Sequence, residues 1–224
     1  RNHNKAQAIN FLGSALMDLG ELERAKSRYL EALKISETHN YRSNIARSYK
    51  FLGQLAFKEN NNQEAITYFN KALEIYHKSQ ARTSESLLLT KLSEAYLRSG
   101  KNSAALAAVN RSISIAKENS FLKTLSEAYL LKSNILQKMN RDSESLINLR
   151  IYNSMKDSLF SIEQQNKIDE LIIIHETEKK EAELNMNRQK IMALNQDIEI
   201  SNLRKGIYGG GFIAVLFILI LVII

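Results

Sequence analysis

Residues 49–73 read YKFLGQLAFKENNNQEAITYFNKAL, and the spacing within them decides the fold. Tyr49, Leu52 and Ala56, then Ala65, Phe69, Ala72 and Leu73, recur at intervals of three and four. That is the period that lines side chains up on one face of an α-helix, whereas a strand alternates every second residue. Between the two runs stands Asn60, a residue type that tolerates the left-handed backbone with which helices end. The stretch predicts two amphipathic helices folded back on each other through a tight turn.

The same pattern recurs every forty residues. Leu12-Gly13, Leu52-Gly53, Leu92-Ser93 and Lys132-Ser133 align, and twelve residues on come the small side chains Ala25, Ala65, Ala105 and Ser145. Four further on come the larger Tyr29, Phe69, Val109 and Leu149, and three beyond those Ala32, Ala72, Ser112 and Tyr152. Gly20, Asn60, Gly100 and Asn140 mark the turn in each copy. Small residues let the two helices of a hairpin approach, and the large residue one turn later fills the space this leaves. A forty-residue period of helical hairpins predicts a solenoid, in which no hairpin buries its apolar face without a neighbour.

The 224 residues include no proline, cysteine or tryptophan. Absence of proline favours long helices, and absence of cysteine removes disulfide frameworks and thiolate chemistry. Residues 1–160 carry 24 basic and 15 acidic side chains, residues 161–205 carry 7 and 9, and residues 206–224 carry none. The basic residues are scattered along the repeats, which reads as a solvated surface and not as a nucleic-acid footprint. The four histidines share no metal-ligand spacing, and no phosphate loop or nucleophile elbow is present. No catalytic residue, metal site or cofactor is expected in this chain.

The repeat columns resemble the tetratricopeptide repeat family: a large residue, Leu-Gly, Gly or Asn at the turn, then Ala, an aromatic and Ala. The resemblance covers roughly residues 6–157. Two features depart from it. The period is forty where the family's is about 34, and the proline near the end of the second helix is replaced by Glu37, His77, Lys117 and Asp157. The resemblance implies an all-α solenoid with a concave face lined by the first helix of each repeat. Carried over by position, that lining is Asn10, Ser14 and Met17; Arg47, Lys50, Gln54 and Lys58; Thr90, Glu94 and Arg98; and Leu130, Asn134 and Gln137. Its basic and amide-rich middle is expected to hold an extended peptide, with acidic side chains on Arg47, Lys50 and Arg98. The clamp that some members use for acidic chaperone tails needs a Lys and then an Asn; this chain has Asn10 and Ser14 there, and Phe51 where a second Asn belongs.

After residue 157 the period stops. Residues 158–205 read as a helical stalk, with Ile168, Leu171, Ile172, His175 and Ala182, then Ile191, Leu194 and Ile198, at helical spacing but in two registers. Its apolar start (Leu159, Phe160, Ile162, Ile168, Leu171, Ile172) is expected to cover the last repeat, and the remainder to pair with a second copy as a coiled coil, the alternative being a single solvated helix. Residues 206–224 read as a membrane helix, with Arg204, Lys205 and Tyr208 as headgroup anchors. Gly206, Gly210 and Ala214 are spaced to bring two such helices together. Arg1 and the apolar end at Ile224 make the chain read as a piece of a longer one.

The run from Lys167 to Leu171, then His175 to Glu181, then the apolar helix, is similar to the stalk of membrane-bound repeat proteins of the Bacteroidetes. That resemblance implies a single pass through a bacterial inner membrane, repeats outside it, and a histidine kinase or helix-turn-helix output domain beyond. Lys190, Arg204 and Lys205 argue for the opposite orientation. The chain is therefore expected to be a non-catalytic interaction and sensing region of a membrane-bound signalling protein, the alternative being a tail-anchored scaffold without an output domain. Expected partners are a protein or peptide in the concave face, the membrane and a second copy.

Overall fold

The computed structural model describes residues 2–223, with side chains through Tyr208. Among these there is no strand. Seven helices of 17 residues follow one another at intervals of twenty: α1 (Asn2–Asp18), α2 (Leu22–Thr38), α3 (Arg42–Lys58), α4 (Asn62–Lys78), α5 (Arg82–Arg98), α6 (Asn102–Glu118) and α7 (Leu122–Lys138). An eighth, α8 (Asp142–Ile223), closes the fourth hairpin and continues unbroken. Each helix from α1 to α7 packs on the next, and α1 also lies against α3 and α5 against α7.

Every connection is built the same way. Gly20, Asn40, Asn60, Gln80, Gly100, Ser120 and Asn140 all have positive φ, between 53° and 81°. At each, the residue's N–H donates to the carbonyl three back and the next N–H to the carbonyl five back, as in Gly20 to Met17 at 3.2 Å and Glu21 to Leu16 at 2.9 Å. These bonds satisfy carbonyls that a helix end leaves open. The repeat is therefore two near-equal twenty-residue halves. The sequence marks only the turn within each hairpin, since Gln80 and Ser120 between hairpins are not left-handed by type.

The columns have the expected physical cause. A Cβ on Gly13 would lie 2.5 Å from the Tyr29 ring, and one on Gly53 would lie 2.5 Å from the Phe69 ring and 3.3 Å from the Ala65 carbonyl. Tyr29 and Phe69 are fully buried. Where the large residue shrinks to Val109 or Leu149, a serine takes the glycine's place. Ser93 then donates to the Ala105 carbonyl at 2.7 Å, and Ser133 to the Ser145 carbonyl at 3.0 Å. Loss of ring volume is thus balanced by a hydroxyl that bridges the same two helices.

The chain divides into two units, residues 1–161 and 162–224. In the second unit the helix carries Ile162, Ile168, Leu171, Ile172, Ile191, Leu194 and Ile198 exposed. Phe160, Ile162, Ile168, Leu171 and Ile172 were expected to be buried as a cover for the last repeat. Their side chains are exposed, so that expectation is corrected. Among the described residues no helix is long and apolar enough to cross a membrane. The run after Tyr208, with Gly210 and Ala214, lies outside the described side chains, and the expected membrane helix gains no structural support.

Gly53→Ala is expected to lower stability by roughly 1–2 kcal/mol, because overpacking against Phe69 outweighs the alanine's helix propensity. Paired with Phe69→Val, it should be more stable than the two single changes add up to, by about 1 kcal/mol. Urea unfolding followed by circular dichroism measures this, and strict additivity would refute the packing account.

Candidate functional site

The expected groove residues separate into three groups. Asn10 is fully buried and donates to Ser48 Oγ at 2.9 Å, tying α1 to α3. Thr90 is buried and within 2.8 Å of Ser112 Oγ. Asn10 is spent on packing and lines neither cavity described next, so its assignment is corrected; Thr90, though buried, lies on the edge of the smaller one. A second group is accessible but engaged. Lys58 donates to the Met17 carbonyl at the end of α1, at 2.8 Å. Arg98 lies 3.9 Å over the Phe57 ring and pairs with Glu94 at 3.4 Å, and Glu94 also meets Lys91 at 3.5 Å. Ser14 is half-buried beside Tyr29, whose hydroxyl burial pushes up to about 12. Asn134 is exposed on α7, away from the cavities described next.

The third group, Arg47, Lys50 and Gln54 on α3, is where the structure brings side chains together. α3 and α5 do not share the seam that joins α1 to α3 or α5 to α7. Two cavities occupy this region. One of about 170 Å³ is lined by Lys50, Gln54, Ser84, Leu87, Leu88, Thr90, Lys91 and Glu127. The other, of about 280 Å³, is lined by Ser43, Arg47, Lys50, Tyr76, Ser79, Ala81 and Ser84. Lys50 and Ser84 belong to both. Lys50 occupies the column of Asn10 and Thr90, which explains its environment: its ammonium sits 4.3 Å over the Phe51 ring, and burial, then the charge of Arg47, holds its pKa below the usual lysine range. Arg47 Nη1 is buried without a hydrogen-bond partner, while the guanidinium lies 5.7 Å from the Phe11 ring centre. Burial pushes the Tyr76 hydroxyl up, with the Arg47 charge opposing.

Residues 4–78 match the tetratricopeptide repeat family. No curated protein matches the chain. Solved structures similar to it include BtubC from P. vanneervenii (14% identity, TM-score 0.65, 69% of this chain and 64% of that one). Aspartyl phosphate phosphatase F from Bacillus subtilis is also similar (14%, 0.67, 71% and 42%). So is a signal transduction ATPase with a tetratricopeptide repeat sensor from Pyrococcus horikoshii (20%, 0.64, 72% and 26%). The fold is of the tetratricopeptide repeat type. The chain spans less than two thirds of the length of each of these three. Identities this low carry the fold and no more.

Within the tetratricopeptide array, sequence reasoning missed the residues supplied from outside the first helices. Tyr76 and Ser79 come from the end of α4, and Ser84 from the first turn of α5. It also missed Glu85, which is fully buried on α5. Its carboxylate meets His77 Nδ1 of α4 at 3.0 Å, Arg82 at 3.1 Å and Arg111 of α6. The available signal was an acid in the column of Ile45 and Leu125. Burial pushes the Glu85 carboxyl up, but hydrogen bonds from His77 and Arg82 and the charge of Arg111 outweigh it, so its pKa falls below the ordinary 4.5. The cluster pins α5 to α4 and α6 and so sets the position of Ser84.

A carboxyl with a depressed folded pKa stabilises fully above its unfolded value and loses that contribution as pH falls through the folded one. Glu85→Ala should therefore cost about 3 kcal/mol near neutral pH, as expected for breaking a buried ion cluster. The gap from the wild type should narrow below about pH 4. Thermal melts at both pH values check this; an equal gap at each would remove the charge from the explanation.

Proposed function

We propose that this chain is the non-catalytic, protein-binding region of a membrane-bound signalling protein, and that its binding surface is the cleft between α3, α5 and α7. The observation that carries the reading is the pair of cations, Arg47 and Lys50, neither in an ion pair among the described residues, beside the amide of Gln54 and the half-exposed Leu87, with Glu127 the one acid lining the smaller cavity. An extended acidic segment would satisfy these groups and cover the leucine. Tetratricopeptide folds supply such grooves by stacking. Similarity to a protein described as a signal transduction sensor and to one described as a phosphatase is compatible with a regulatory role.

The membrane attachment rests on the uninterrupted apolar run from residue 212 in the sequence, after Arg204, Lys205 and Tyr208. Pairing of two copies rests on the exposed Ile168, Leu171, Ile172, Ile191, Leu194 and Ile198, joined by Gly206, Gly210 and Ala214. In this reading the repeats lie outside a bacterial inner membrane and a rotation or separation of paired stalks carries the signal. The scaffold reading uses the same cleft without an output domain; the reading frame following Ile224 separates the two.

The cleft is tested by fluorescence anisotropy on the full chain in detergent micelles. Pools of extended peptides with a fixed central Glu should bind at least tenfold more tightly than pools with a fixed Lys. Leu87→Arg, which fills the smaller cavity, should abolish that binding. Equal binding of both pools, or undiminished binding by Leu87→Arg, would count against the cleft.

A further inference from the structure

The larger cavity has two cations, which one isolated carboxylate does not balance. Two cations, Arg47 and Lys50, line it, and no acidic residue does. Among the described residues neither cation forms an ion pair. Arg47 Nη1 is buried and unpartnered. An unsatisfied buried guanidinium donor is costly, and a bound anion is one partner that would offset that cost. Around the cations stand the hydroxyls of Ser43, Tyr76, Ser79 and Ser84. Burial and mutual repulsion already disfavour the charged form of Lys50. A singly charged ligand leaves one of the two cations uncompensated.

We propose that the cavity bounded by α3, the end of α4 and the start of α5 is a binding site for a phosphoryl group, with Arg47 and Lys50 as its charge partners and Ser84 and Tyr76 as hydroxyl donors. A phosphoryl dianion carries close to two charges near neutral pH and three terminal oxygens able to accept several hydrogen bonds at once. It neutralises both cations, and the planar fork of Arg47 engages two of its oxygens while Lys50 acts as a point charge. The cavity, at about 280 Å³, has room for the group and for the stem that carries it. Through Lys50 and Ser84 it adjoins the smaller cavity beside Leu87, so a phosphorylated side chain in the larger one directs the following residues into the cleft. The inference deepens the cleft reading by naming what the basic end of the cleft recognises. It rests on that reading for the carrier and not for the phosphoryl group itself.

The probes are inorganic phosphate and acetate, added at matched ionic strength to the full chain in micelles near neutral pH. Phosphate should broaden its own ³¹P resonance in proportion to protein and raise the thermal midpoint, as any ligand of the native state does. Acetate should neither raise the midpoint nor displace phosphate. Arg47→Met and Lys50→Met should each weaken phosphate binding at least tenfold, while Lys123→Met leaves it unchanged. Ser84→Asp, which places a carboxylate in the cavity without removing a cation, should do the same and covers the case in which a methionine variant does not fold. Leu87→Arg should keep phosphate while losing peptide, so failure of the cleft and failure of the phosphoryl site give different results. Equal competition by acetate, phosphate binding that survives loss of either cation, or no broadening at all would overturn the proposal.

Discussion

The structure depends on backbones brought into contact with aromatic rings. At Gly13 and Gly53 the space a Cβ would occupy is taken by Tyr29 and Phe69, so each hairpin closes to a spacing that only the smallest residue permits. This closeness puts the large ring at the centre of the hairpin and leaves its outer face for the next repeat: Tyr29 stacks on Phe51 of α3 with ring centres 5.2 Å apart. Buried apolar residues gather in three clusters along the array, the first of them containing Tyr29 and Phe51. In the third and fourth hairpins a serine hydroxyl bonds the facing carbonyl instead.

The same regularity determines where binding chemistry can reside. Along the first helices of the hairpins one column, occupied by Asn10, Lys50, Thr90 and Leu130, is buried or half-buried. Asn10 and Thr90 suit it because each finds a buried partner. Lysine does not, having three donors and no neutral partner, and it is held instead over Phe51 next to a second cation. The second repeat thus carries charge where its neighbours carry satisfied polar groups. Glu85 is the complementary case: an acid in the column of Ile45 and Leu125, paired with Arg82 and Arg111, in contact with His77, and serving to fix α5.

Helix period, hairpin order and the alternation of small and large residues were legible in the sequence, because each repeats at matched positions. The twenty-residue half-period was not, since Gln80 and Ser120 adopt left-handed backbone by force of the bonds around them and carry no turn signature of their own. Asn10 was assigned to the groove by repeat position alone, which fixes the helix but not which of its side chains is spent on packing. Tyr76 and Ser84 were invisible because they reach the cavity from a second helix and from the next repeat. The exposure of Phe160, Ile162 and their neighbours shows that apolar side chains at a helical period do not by themselves identify what buries them.

The central claim is that two equal helical halves, hinged at left-handed residues twenty apart, generate the array and the cleft in it. NMR measurement of φ-dependent couplings and intraresidue H–N to Hα proximities, on the isotopically labelled full chain in micelles, tests it most directly. The account predicts positive φ at residues 20, 40, 60, 80, 100, 120 and 140, with helical values through the segments between them. Helical φ at Asn40, Gln80 or Ser120 would join neighbouring hairpins into longer helices and contradict it.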